Sequence, residues 1–303
     1  MDSSLKEALR KAKRKQVIKT AIISVMVVLF LLPLLYQSGN YFASKSSSKL
    51  HEQLFLYHDI AQPNIQIDSQ VTRDSSMFGG YIVTNRSKNI NGYIVPWSTL
   101  TSSSDWFGYN IDYNELIPGF HWTDTDFYEY DKQTKNKVAT FYHPAIEEYY
   151  NEVPNEISDI ASMENHVAEV ALSFDQPYTC EEIEANIPDN LNIVWLYMTS
   201  AIKDESKGPS GMPVYGFHPY GSPDEAFQSF LEALEAYDAN NRNETIQDFL
   251  EEHANTPWED VEILGVMVTG QTQHLEALED QDFIRGASVG ATVEMVPYIT
   301  PEK

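Results

Sequence analysis

The chain has 303 residues, 42% of them hydrophobic and 12% aromatic, enough for one large domain or two smaller ones. Its net charge of −25, from 45 acidic and 20 basic side chains, argues against a nucleic-acid-binding body. A single cysteine, Cys180, excludes an intramolecular disulfide framework and any cysteine-rich metal site.

The charge is unevenly placed. Residues 1–19 hold seven basic and two acidic side chains, a local net of +5, and the remainder carries −30. The basic stretch runs into the apolar segment TAIISVMVVLFLLPLLY, Thr20–Tyr36. About 20 mostly apolar residues cross a bilayer core, and Val17–Tyr36 supplies that length with Lys19 able to snorkel to the headgroups. The run is longer than a signal-peptide core, and the exit Gln37–Ser44 offers no clean A-x-A cleavage site. No cysteine follows the span for a lipoprotein anchor. The positive-inside tendency places the N-terminus in the cytoplasm and about 260 residues outside. The expected organisation is a short basic tail (1–16), a transmembrane helix (17–36), a spacer with a juxtamembrane helix (37–62), a β-rich extracytoplasmic domain (63–153) and a C-terminal α/β domain (154–303).

Within the spacer, Ala43–Lys49 reads as polar linker, and Leu50, Leu54, Tyr57 and Ile60 recur at helical spacing. From Pro63 the pattern is β-rich. Asn64–Val71 alternates. Tyr81–Thr84 and Tyr93–Trp97 flank turn-prone Asn85–Gly92, and Phe127–Tyr130 and Val138–Tyr142 flank Asp131–Lys137, two predicted hairpins.

Past Pro154, strands at 167–174, 191–198, 261–269 and 287–296 alternate with helices opened by Thr179, Ser222, Asn243 and Thr272. Thr179–Glu182 is a capping box, and Pro223 occupies a first helical position. The fold class expected is α+β: a transmembrane helix, a β-rich membrane-proximal region, and a C-terminal sandwich with helices on a four-stranded sheet, strand direction open.

Candidate chemistry is sparse. His51 and His58 stand seven apart on one helical face, but Leu54 and Tyr57 point to packing rather than a metal. Asn110–Asn114 resembles the start of a calcium loop and fails where Glu115 replaces the needed Gly. Asp124, Asp126, Glu129 and Asp131 form an acidic patch that reads as a solvated face. Cys180 at a helix start would have a lowered pKa, but Glu181, Glu182 and Glu184 oppose a thiolate. Val268–Thr272 reads as a strand, a glycine turn and a capped helix, without phosphate-loop spacing. Hydrolase and metalloprotease motifs are absent, so no catalytic, cofactor or metal residue is assigned and no enzyme is expected.

The order of several segments resembles a known family. The basic ALRKAKRKQ runs into the span, followed by Met77-Phe78-Gly79-Gly80, Ala168–Tyr178, Gly216-Phe217-His218-Pro219, Gly265–Gly270 and Ile284–Gly290. This is similar to the sigma-factor-regulator proteins of Bacillus-like Firmicutes, single-pass anti-sigma factors for extracytoplasmic-function sigma factors that answer envelope stress. The resemblance implies a negative regulator, either an anti-sigma factor or its co-regulator, with an extracytoplasmic sensory or docking body. The alternative is an envelope binding or assembly module of the same fold without direct sigma binding. The implied partners are the sigma factor or a co-regulator membrane protein, and membrane lipid; no nucleic acid and no cofactor are expected.

About sixteen residues precede the span, fewer than the inner segment of that family. The cytoplasmic contact residues expected are Leu5, Leu9, Arg10, Arg14 and Lys15. Residues 1–19 also read as a plain basic flank, in which case a partner chain or upstream segment carries sigma binding.

Overall fold

The computed structural model describes residues 3–123, 127–149, 151–202 and 213–303. They fold as α+β: one long apolar N-terminal helix, then antiparallel sheets with shorter helices. The chain divides into two compact units. One comprises the residues up to Leu50 with Thr72–Ile82 and Ser102–Asn110; the other comprises His51–Val71, Val83–Thr101 and Ile111–Lys303.

Helix α1 runs unbroken from Ser3 to Ala61. It is helical through the tail because Ala, Leu, Lys and Arg are good helix formers. Pro33 lies within it, and the membrane-length apolar window is fully exposed, as a lipid-facing segment requires. The segment expected as a spacer and separate helix is instead a continuation of α1. Between Asn40 and Ala61 no Gly or Pro interrupts it. Gly39, Ala43, Ser46 and Leu50 are buried at spacings of three and four, so the polar-looking segment has one small-residue face packed inward. Serine counts told of polarity but not of this face.

Four strands follow: β1 (Gln66–Ser76), β2 (Gly79–Ile90), β3 (Tyr93–Asp105) and β4 (Tyr109–Ile111), forming one sheet in that order. The first expected hairpin is present, but its turn is only Asn91-Gly92; most of Asn85–Gly92 is strand. Asn91 and Gly92 have φ of 52° and 93°, the positive pair of a type I′ turn, whose twist suits a two-residue hairpin.

In the second unit, the one-turn helix α2 (Tyr113–Leu116) precedes a three-stranded sheet of β5 (Gly119–Trp122), β6 (Phe127–Tyr130) and β7 (Lys137–Val138). The expected second hairpin is the β6–β7 pair, shorter than predicted. Helix α3 (Ile157–Ala161) leads into β8 (His166–Tyr178), α4 (Cys180–Asn186), β9 (Asn192–Ser200), β10 (Val214–Phe217), α5 (Pro223–Asn241), α6 (Glu244–His253), β11 (Ile263–Gln271) and β12 (Ile284–Glu294). The sheet order is β10-β9-β11-β8-β12, all neighbours antiparallel. It therefore has five strands, not four. The fifth, β10, is only four residues long and gave too short a pattern to read.

Alternation along β8 separates two apolar layers. Ala168, Val170, Leu172 and Phe174 join the main core with Phe227, Phe230 and Leu234 of α5 and Ile246 and Phe249 of α6. Tyr57 and Ile60 of α1 belong to that core too. Ala171, Trp195, Tyr197 and Met267 form the opposite layer with Phe141.

The four expected caps differ in outcome. Thr179 accepts from Glu182 N and Glu182 returns the bond, a complete capping box. Asn243 accepts from Ile246 N. Ser222 precedes α5 without any side-chain cap bond. Thr272 caps nothing: it opens a 3₁₀ helix, and its hydroxyl donates to Met163 O and His166 O. Gly270 lies within β11 rather than in a turn.

Candidate functional site

The five tail residues all lie on α1 and do not form one patch. Leu5 and Leu9 are 52% and 55% exposed and one helical turn apart, forming a stripe with Ala8 and Ala12. At about 100° per residue, Arg10 and Arg14 fall roughly 140–180° around the helix from Leu5, and Lys15 lies between the two faces. The tail therefore offers an apolar face and a separate basic face. The apolar stripe suits a partner helix, and the basic face suits anionic headgroups. Lys11 makes only an exposed i,i+4 pair with Glu7, at 3.9 Å.

A second candidate is a cavity of about 160 Å³ in the larger unit, on the Tyr197 and Met267 side of the five-stranded sheet. Tyr57 and Gln62 at the end of α1, Arg86 and Lys88 of β2, Trp97 of β3 and Glu129 of β6 also line it. Arg86 is buried, donating from Nε to Ser98 O (2.7 Å) and from Nη1 to Gln62 Oε1 (3.1 Å). Desolvation lowers its pKa to about 10, opposed by Asp131, Tyr57 and Glu115. Lys88 Nζ lies 2.7 Å from Glu169 Oε1 and 4.5 Å from the centre of the Trp97 ring. Asn64 Nδ2 donates to the other Glu169 oxygen at 2.7 Å. Asn64 holds φ at 52°, the left-handed region that Asn tolerates better than most residues.

Glu129 is half-buried. Burial pushes its pKa up to about 7, so it protonates near neutrality. The lining is largely aromatic and aliphatic with a few charged groups, the composition of a small-molecule pocket. Sequence reading placed Glu129 in an exposed acidic patch and missed Arg86, Lys88 and Glu169. The signal available was a lone carboxylate within the apolar run VAEVALSF.

The remaining candidates are structural where described. His51 Nδ1 lies 2.6 Å from Gln70 Oε1, and His58 Nδ1 lies 2.7 Å from Leu54 O. Asp112 caps α2 through Asn114 N, and Asp131 accepts from Gln133 N, Thr134 N and the hydroxyls of Ser98 and Thr134. Asp124 and Asp126 lie outside the described residues. Among the described residues no group of three or more His, Cys, Asp or Glu side chains could hold a metal ion. Burial and Glu184 raise the Cys180 thiol to about 11, the opposite of an activated thiolate.

A protein-family model described as sigma factor regulator N-terminal matches residues 6–95, and one described as sigma factor regulator C-terminal matches residues 160–291. Together they cover more than half of the chain. No curated protein and no solved structure matches it.

Proposed function

The chain belongs to the sigma factor regulator family, and from that membership we propose a membrane-anchored negative regulator of an extracytoplasmic-function sigma factor. Family membership supports a sigma-factor regulatory role, and regulatory rather than enzymatic chemistry. The observation that carries the finer reading is the continuity of α1. One helix joins the exposed Leu5–Leu9 stripe, a membrane-length apolar segment and a C-terminal end at Tyr57 and Ile60 inside the core of the larger unit.

In this reading the basic end is cytoplasmic, and the tail, alone or with a co-regulator membrane protein, keeps the sigma factor at the membrane. A shift of the outer body is passed inward as rotation or displacement of α1. The inner turns gain support from being part of a longer helix, since a helix of sixteen residues alone is marginal in water.

The direct test is transcription from the sigma-dependent regulon. Deletion of the gene should raise it, and Leu9→Asp should do the same while the protein remains inserted. An unchanged transcriptome in the deletion strain, with an inducible sigma factor present, would sink the proposal and favour an envelope binding or assembly module.

A further inference from the structure

Three residues beyond Tyr36, roughly 4.5 Å along the helix axis, Gly39 is buried. A Cβ at that position would lie 2.7 Å from Trp106 Cζ2 and 2.8 Å from Met77 O, so the absence of a side chain lets two turns close onto α1 there. The turns are Met77-Phe78, between β1 and β2, and Trp106-Phe107-Gly108, between β3 and β4. They are joined to each other: Trp106 Nε1 donates to Met77 O, and the Phe78 ring stacks on Trp106 with centroids 5.6 Å apart.

The Phe78 and Phe107 rings of this pair are uncovered, with Asp74 and Asp105 beside them. Phe78 is 65% exposed and Phe107 97% exposed. The neighbouring carboxylate, Asp105, is engaged by the turn itself, accepting from Phe107 N at 2.7 Å and Gly108 N at 3.1 Å. On the helix beside them, Tyr41 and Phe42 are also exposed. Phe107, and the face of Phe78 turned away from Trp106, pack against nothing in the folded turns. Aromatic residues at the end of a span concentrate where acyl chains meet headgroups.

We propose that Phe78, Trp106 and Phe107 form a lipid-inserting foot, seated in the headgroup–acyl boundary of the leaflet where α1 leaves the bilayer. The occupant follows from continuity: the foot is clamped to the helix within one turn of the apolar segment's end. This inference rests on the reading of Val17–Tyr36 as a span. The foot gives α1 a second point of attachment, so its height and rotation in the membrane are set by the folded turns as well as by its own sequence.

The test uses full-length protein in phosphatidylethanolamine/phosphatidylglycerol vesicles, with Cys180→Ser to remove the native thiol. Single spin labels are placed at Gly108→Cys, Phe30→Cys and Ser48→Cys. A side chain at Gly108 meets open space, so the aromatic foot is left intact. Collision rates with oxygen and with a water-soluble nickel reagent report depth. The Gly108 label should be shielded from nickel several-fold relative to Ser48, and less deep than Phe30. Adding Phe78→Ser and Phe107→Ser should return it to the Ser48 value. A Gly108 label as nickel-accessible as Ser48, with Phe30 deep, overturns the foot and leaves the span standing. A nickel-accessible Phe30 overturns the span and the foot together. A shielded Gly108 label unmoved by the double serine variant would mean that a second copy of the chain, rather than lipid around the inserted rings, covers the turns, which also overturns it.

Discussion

Lys88 of β2 and Glu169 of β8 meet at 2.7 Å with 2% and 0% of their side chains exposed, a salt bridge inside the larger unit. Asn64 completes the carboxylate's hydrogen bonding and Trp97 faces the ammonium. Two charges so deeply buried persist only when each satisfies the other, and removing one partner leaves the second unpaired. Lys88→Met should therefore destabilise the protein by about 3–5 kcal/mol, and Lys88→Met with Glu169→Leu by much less. Denaturant midpoints of the detergent-solubilised protein, with Glu169→Leu as the second single variant, read this out; a double-variant loss equal to the sum of the two single losses would show the pair is not coupled.

The proposed boundary at Pro154 can be tested against the core itself. Tyr57, Ile60 and Ala61 are buried in one cluster with Val170, Leu172 and the faces of α5 and α6. A fragment of residues 51–303 should unfold cooperatively, and one of residues 154–303 should be less cooperative and more protease-sensitive. Equal protease resistance of the two would place a self-sufficient domain after Pro154.

Capping gives a graded prediction. Thr179→Ala breaks a two-way capping box and should cost about 1 kcal/mol. Ser222→Ala removes no side-chain bond and should cost only a few tenths. Thermal midpoints that rank the two in the reverse order would show that α5 is capped through Ser222 in solution.

The pH dependence has two opposing parts. Glu129 is raised to about 7 by burial, so between about 4.5 and 7 the folded state binds more protons than the unfolded chain, and its contribution to stability declines as pH rises. Glu129→Gln should gain relative to wild type on going from pH 5 to pH 8. His58, His143 and His218 are lowered to about 4, chiefly by burial. They bind fewer protons when folded, so they cost stability as pH falls from 6.5 towards 4. Denaturation midpoints across pH 4–8 separate the parts, and a Glu129→Gln difference that stays flat with pH would place Glu129 in water.

The two faces of the tail predict separable defects. Leu9→Asp should impair regulation without changing insertion. Charge reversal at Arg10 and Arg14 should act on topology instead, because flanking positive charge orients the span. Reporter fusions placed after Lys45, read together with regulon expression, distinguish the two; identical effects from both variants would argue against separate faces.

Much of the architecture was legible in the primary structure. Twenty mostly apolar residues after a basic cluster define a membrane-length helix, because the cost of apolar surface and of charge in a bilayer depends on composition and length alone. The capping box at Thr179 and the main strands of the C-terminal sheet were legible for the same reason: spacing and local hydrogen bonding decide them. Tertiary packing decided the rest. It made helix of the serine-rich segment after Gly39, by burying a face of small residues that no hydropathy pattern marks. It also drew Lys88 and Glu169, 81 positions apart, into one buried pair and brought Trp106 against Gly39. Those contacts join residues distant in sequence, and their energies exist only once the strands that carry them are in register.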